Sequence, residues 1–370
     1  MKQPVLCVAT RKGLFRVTRD NGSWQVQEPS FLGDNVSAVL HHPVSGLLYA
    51  ALDHGHFGVK LHRSADGGGR WEEIPVPENP PRPEGEGPLV DFLGRTIPDS
   101  LQLIWCLEAG HPSQGRRLWA GTAPGGLFHS DDDGDSWQLT ESLWNHPGRR
   151  RWMGGGLDSP GIHTILVHPE EPGDITVAVS CGGIWHSPDD GATWENIGQG
   201  MTAPYTPPEY AGDPGSQDVH RLARCRGAPD RMWLQHHDGI YRSDDAGRNW
   251  RRIRPVLPGD FGFPVVVDEA DPDRAWFVPE IKDEHRVPPG GRVVVNRTED
   301  GGQTFTTFHE GLPGPLAYDL VYRHSLDRDA GEGVLAMGST TGSLWISGDD
   351  GVSWESISRH LPPIYALRFD

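Results

Sequence analysis

Eighteen histidines are spread along this 370-residue chain, and eight of them fall in loops or strand starts: His54, His56, His146, His163, His220, His236, His237 and His285. His54-Gly55-His56 and His236-His237-Asp238 read as turns, whereas His163 and His220 each stand at the start of an apolar strand. Neutral imidazoles that converge can hold Zn, Mn, Fe, Ni or Cu. His56, His163, His220 and His237 are the candidate ligands of such a divalent ion. Against this stands a plainer use, in which histidines at strand starts satisfy backbone carbonyls, and no HExxH or paired-Cys spacing backs the metal. Arg11, Lys12 and Tyr318 are candidate catalytic residues, as electrophile or proton donor beside the ion. Arg150, Trp152, Tyr210 and Arg286 are candidate substrate-binding residues. The run Arg149-Arg150-Arg151-Trp152 followed by three glycines reads either as an arm that pairs and stacks with an anionic substrate or as a solvated loop. No phosphate-binding loop, dinucleotide fingerprint or Gly-x-Ser-x-Gly elbow is present.

The elements that must position these groups are announced by a recurring phrase of Ser or Thr, Asp, Gly and an aromatic. It occurs as Ser64-Asp66-Gly68-Trp71, Ser130-Asp132-Gly134-Trp137, Ser187-Asp189-Gly191-Trp194, Ser243-Asp245-Gly247-Trp250, Thr298-Asp300-Gly302-Phe305 and Ser347-Asp349-Gly351-Trp354, with a shorter copy at Thr18-Asp20-Gly22-Trp24. Successive Asp residues are 46, 66, 57, 56, 55 and 49 apart, near the ~40–50 residues of a propeller blade. An Asp accepting hydrogen bonds from amides two residues on, and a Gly at positive φ, make each copy a stapled turn. Seven copies predict an all-β, seven-bladed β-propeller occupying residues 1–370 as a single domain.

The phrase resembles the Asp-box of the bacterial neuraminidase repeat (BNR), found in the sialidase-like β-propellers, a superfamily that includes sialidases, sortilin-type receptors and photosystem assembly factors. The likeness spans nearly the whole chain and speaks to fold more than function. A sialidase implies an arginine triad, a Tyr nucleophile and an Asp acid/base. The Arg-Ile-Pro motif that introduces the first arginine is absent, and Arg11, Arg221 and Arg286 sit in no recognisable motif.

Aligned on the phrase, each unit reads as an inner strand A, then B, C and an outer D. In blade three A is about Gln102–Ala109, B is Arg116–Thr122 and C is Leu127–Ser130. The other A strands are expected near Val36, Ile162, Val219, Phe263 and Ala317. The N-terminus starts in a B strand, and Pro363–Phe369 is a spare A strand, expected to complete the first blade and close the ring. The long insertions Val76–Leu101, Ser142–Gly161, Gly198–Asp218 and Pro279–Arg292 are all D-to-A or B-to-C connections, placing them on one face, the expected binding surface.

A net charge of −18 disfavours nucleic acid and anionic membranes as partners. The absence of an apolar leader and the four dispersed cysteines lead to the expectation of a cytoplasmic protein. The functional expectation is a hydrolase or lyase with a His-bound divalent metal acting on a small polar or carbohydrate-like substrate. The alternatives are a non-catalytic scaffold holding a protein partner on the loop-rich face and, third, an exo-sialidase or other glycoside hydrolase.

Overall fold

The computed structural model describes residues 4–82, 84–85, 87–91, 94–155 and 157–370. Met1–Gln3, parts of Val76–Leu101 and Gly156 of the arginine arm lie outside the described residues. The fold is a seven-bladed β-propeller of seven four-stranded sheets with antiparallel neighbours. Residues cluster into two compact units. Met1–Val36 with His220–Asp370 carries blades one, five, six and seven, and Ser37–Val219 carries blades two, three and four.

Blade one is assembled from both termini. Leu6–Thr10 pairs antiparallel with Ile364–Phe369, in a register that sets Leu6 opposite Phe369 and Val8 opposite Leu367. Leu6, Val8, Ile364 and Leu367 are all buried in one cluster with Val17 and Leu344. Two further bonds, from the Val5 amide to the Asp370 carboxylate (2.7 Å) and from the Asp370 amide to the Val5 carbonyl (3.0 Å), clip the end. The expected closure by the C-terminal strand is therefore present.

Most strands fall where the pattern places them. In blade three they are Leu103–Ala109, Leu118–Ala123, Leu127–Ser130 and Gln138–Leu139. The inner strands of blades four and five begin at Ile162 and Val219. Blade seven differs, since its inner strand is Leu326–Arg328 and not a strand from Ala317. Ahead of it the chain is held by a side chain: the Asp319 carboxylate accepts from the hydroxyls of Ser339 (2.8 Å) and Thr341.

The repeated turn is stapled differently from the sequence expectation. In six copies the Ser or Thr oxygen accepts the amide of the Gly four residues on, for example Gly134 to Ser130 at 2.8 Å, while donating to the Asp. The Asp in turn takes an amide four residues on, not two, as from Ser136 to Asp132 at 2.9 Å. The residue before the Gly is also left-handed: Asp133, Asp190, Ala246 and Asp350 have φ of 57–59°. The Thr193 hydroxyl and then its amide hold Asp189 below the usual carboxylate range, and Thr304 does the same for Asp300. The copy at Thr18 is instead a two-residue Asn21-Gly22 hairpin, with Asp20 paired to Ser23.

These left-handed residues are where the preceding blade takes hold. In blade two Tyr49 donates its hydroxyl (3.2 Å) and Arg63 its guanidinium (3.1 Å) to the Asp133 carbonyl. In blade six Trp276 Nε1 (2.8 Å) and Arg297 (2.8 Å) donate to the Asp350 carbonyl. Arg251 reaches the Gly301 carbonyl (2.9 Å), and Arg117 reaches the Asp190 carboxylate (3.1 Å). Trp276 is fully buried among Leu335, Met337 and Trp354. Trp276→Ala should cost about 3–5 kcal/mol in denaturant unfolding. Deleting Ile364–Phe369 should abolish the single cooperative unfolding transition, because Leu6 and Val8 lose their cover.

Candidate functional site

In blade five the inner strand Val219–Arg224 lies beside Met232–His236, which turns at His237-Asp238 into Gly239–Ser243. The turn is pinned on both sides of His237. The His236 ring packs edge-on to Tyr241 (5.3 Å, 71°) and its Nδ1 accepts the Asp238 amide at 2.9 Å, while the Asp238 carboxylate takes Arg252. His237 itself is left half-buried. His220 is buried and stacked on Phe263 (4.6 Å, 12°), with Phe261 and His237 edge-on at 5.6 and 5.4 Å. Its Nδ1 lies 2.6 Å from the Gly262 carbonyl. A carbonyl only accepts, so Nδ1 carries the proton and in the neutral ring Nε2 keeps its lone pair. Asp218, two residues upstream on the same stretch of chain, completes a group whose ligand atoms all lie within 4.8 Å of one another.

The other two candidate ligands stand elsewhere. His163 is fully buried with both ring nitrogens committed, Nε2 to the Val219 carbonyl (2.8 Å) and Nδ1 to the Thr164 hydroxyl (3.0 Å). Because the carbonyl requires Nε2–H, Nδ1 is left as the acceptor for Thr164, and no lone pair is spare for an ion. His56 is exposed in the short helix Gly55–Phe57, its ring 4.1 Å from that of Phe57.

Among the substrate-binding candidates Trp152 is a core residue. It is 1 % exposed and edge-on to Trp185 (5.7 Å, 66°), so its ring has no face to offer a ligand. Arg150 is exposed and makes no ion pair among the described residues. Its neighbour Arg149 is the one turned inward: it lies 3.6 Å over Trp144, donates to the Gly125 carbonyl (3.1 Å), and is pushed down to about 10 by burial. Tyr210 is covered by Arg151 at 5.8 Å, which also pairs with Asp213. Arg286 is held by Asp283 (Nε 3.0 Å) over the Phe263 ring at 5.4 Å. Arg11 and Lys12 are exposed at the turn after Leu6–Thr10. Tyr318 is 65 % exposed.

One group escaped the sequence reading. Glu280 follows the apolar strand Ala275–Pro279, is 1 % exposed, and has no side-chain hydrogen-bond partner for either carboxyl oxygen among the described residues. Burial pushes it up to about 8, a nearby Val321 amide offsets part of this, and the negative charge of Asp319 adds to the rise. Its one signal in the sequence is an acid directly after the apolar run Ala-Trp-Phe-Val-Pro, where a solvent-facing turn residue is the ordinary reading.

No family model matches this chain. It is 23% identical over 278 residues to the oligoxyloglucan-reducing end-specific xyloglucanase of Emericella nidulans, covering 69% of this chain and 27% of that protein. Among solved structures it is similar to the GH74 xyloglucanase from Xanthomonas campestris, with a TM-score of 0.62 and 18% identity over all of this chain and 52% of that one. It is also similar to YCF48 from Cyanidioschyzon merolae, with a TM-score of 0.51 and 10% identity over 87% of this chain and 84% of that one. The structural likenesses show the propeller fold. The chain spans about a quarter of the curated relative and about half of the Xanthomonas enzyme.

A carboxyl raised from 4.5 to about 8 makes the folded state bind its proton more tightly than the unfolded one. Its contribution is fully present below pH 4.5, falls as pH rises from there, and levels off above about 8. Glu280→Gln should therefore flatten the decline in Tm between pH 5 and 8 (about 5 to 8) that the unaltered protein shows.

Proposed function

We propose that this chain is a carbohydrate-acting propeller of the glycoside hydrolase class, with Glu280 as proton donor, Asp319 as its ionised counterpart and Tyr318 as an exposed face for a sugar ring. The observation that carries this reading is the unpartnered buried carboxyl of Glu280 under the influence of the Asp319 charge. Glycoside hydrolysis needs one carboxyl that is still protonated at working pH and a second that is not. Asp319 is held in place by accepting from the Ser339 and Thr341 hydroxyls. Glu280 is closed off from solvent in the unliganded chain, so sugar must displace neighbouring loop residues to meet it.

The likeness to xyloglucanases supports a β-glucan or xyloglucan oligosaccharide as the substrate class. A sialidase is disfavoured by the state of its would-be arginines, since Arg286 is already spent on Asp283 and Arg11 lies in an exposed turn.

The test is reducing-sugar release from xyloglucan and β-glucan oligosaccharides by the full chain. Glu280→Gln and Asp319→Asn should each lower kcat by about 10²–10⁴-fold, with circular dichroism and Tm confirming that both variants fold. The absence of hydrolysis across the panel, or unchanged kcat in both folded variants, overturns the reading.

A further inference from the structure

We propose that Arg149 anchors a binding site for a small monocarboxylate, whose two oxygens are taken side by side by Nη1 and Nη2 of the guanidinium. The site lies wholly within the unit Ser37–Val219 and does not depend on the reading of Glu280.

The first observation is a charge without a counter-charge. Other half-buried arginines of this unit meet carboxylates: Arg63 meets Glu72 and Asp135, and Arg117 meets Asp131 and Asp190. Arg149 meets none among the described residues, and Asp213 is taken by Arg151. Its Nε donates to the Gly125 carbonyl at 3.1 Å, which satisfies a proton but neutralises nothing. Nη1 and Nη2 have no hydrogen-bond partner among the described residues. Burial pushes the group down to about 10, so it is still a cation at neutral pH. The desolvation cost of such a cation is offset when an anion pairs with it.

The second observation is how firmly the guanidinium is placed. Its carbon lies 3.6 Å from the ring centroid of Trp144 and 5.9 Å from that of Trp152. The Trp144 face and the Gly125 carbonyl together fix its position and leave the Nη1/Nη2 edge as the uncommitted one. A side chain at position 125 would meet Trp152 Cζ3 at 3.0 Å, so glycine lets carbonyl and indole stand together. The turn that carries Arg149 is pinned as well. Its amide donates to the His146 carbonyl (3.0 Å) and its own carbonyl accepts the Trp152 amide (3.1 Å). His146 Nδ1 accepts the Gly148 amide at 3.1 Å, and its ring stands edge-on to Trp185 at 4.8 Å. Two parallel N–H donors held in one plane match the two oxygens of a carboxylate, and a partner fixed beforehand loses little freedom on binding.

Charge selects among anions. The net charge of −18 repels an approaching anion in proportion to its own charge, and one guanidinium balances one negative charge. A monocarboxylate is therefore favoured over doubly charged phosphate or sulfate. Arg150, exposed and next in the chain, adds an attraction that salt screens. Simple organic acids and sugar acids share the carboxylate group.

The experiment is titration of the full chain, labelled with ¹⁵N in arginine, with sodium acetate and separately with sodium D-glucuronate, at ionic strength held constant with sodium chloride. The Arg149 Nε signal is identified by its loss in Arg149→Gln. The expected result is a saturable shift of that signal with a carboxylate and a carboxylate-dependent rise in Tm. Both Arg149→Gln and Arg149→Lys, the latter keeping the charge but not the fork, should bind about 10-fold or more weakly by Tm shift. Tighter binding of glucuronate than of acetate supports the site with a sugar acid as its ligand, and equal binding supports it with a simple organic acid. Melting curves without carboxylate identify a variant that has failed to fold, and Arg149→Lys then stands alone. The absence of a saturable shift with both carboxylates, or equal binding by the unaltered chain and folded Arg149→Lys, overturns the site. Carboxylate binding and sugar release are separate readouts, so the failure of one is distinguishable from the failure of the other.

Discussion

Where one blade grips the next, the contact leans on the backbone carbonyl of the left-handed residue inside the repeated turn, as at Asp133, Gly301 and Asp350. A residue at φ near 58°, as at Asp133 and Asp350, turns its carbonyl away from its own hairpin and toward the preceding blade. An unmet buried carbonyl is costly, and two of these are met twice: by Tyr49 and Arg63 at Asp133, and by Trp276 and Arg297 at Asp350. The Ser or Thr and Asp of the phrase are the local means of holding that conformation. The large aromatic on the neighbouring strand supplies both the donor and most of the buried apolar surface, which is why a chain of modest hydrophobic content can still be well packed.

With blade contacts handled this way, buried charge elsewhere stands out. Most buried arginines meet a carboxylate or carbonyl, such as Arg242 with Asp244 and Asp273. Arg149, which meets the Gly125 carbonyl but no carboxylate among the described residues, and Glu280 stand apart, and they respond in the ways that physics permits. The guanidinium, although pushed down to about 10, stays charged at neutral pH and lies on the face of Trp144. The carboxyl instead keeps its proton, since desolvation raises an acid without limit from a counter-charge. Neither adjustment helps the fold as much as a paired or apolar side chain would, which is the reason Glu280 is read as belonging to function.

The blade count, the strand order and the N- and C-terminal pairing were legible because they depend on local periodicity and on two unmatched half-patterns, Val5–Thr10 and Pro363–Phe369. The blade-seven inner strand was not, because Asp319 reaches two hydroxyls across a turn, a long-range choice with no local signature. Trp152 was misread for a related reason: in sequence it belongs to a glycine-rich arm, yet Trp185 offers it a buried face. The placement of His237 in a turn and of His220 at a strand start was legible, as both are periodic features. The commitment of His163 to the Val219 carbonyl was not, because it depends on which nitrogen meets which oxygen across two blades.

One aromatic group links the two pieces of chemistry. Phe263 stacks on His220, supports Arg286, and meets Tyr322, three residues beyond Asp319. An apolar environment has opposite consequences for a carboxyl and for an imidazole. For a carboxyl such as Glu280, removal of water favours the protonated form that can donate to a leaving oxygen. For an imidazole it supplies no proton acceptor, so the Gly262 carbonyl requires the proton on Nδ1 of His220. The stacking on Phe263 that makes His220 rigid therefore also fixes the direction in which its ring faces.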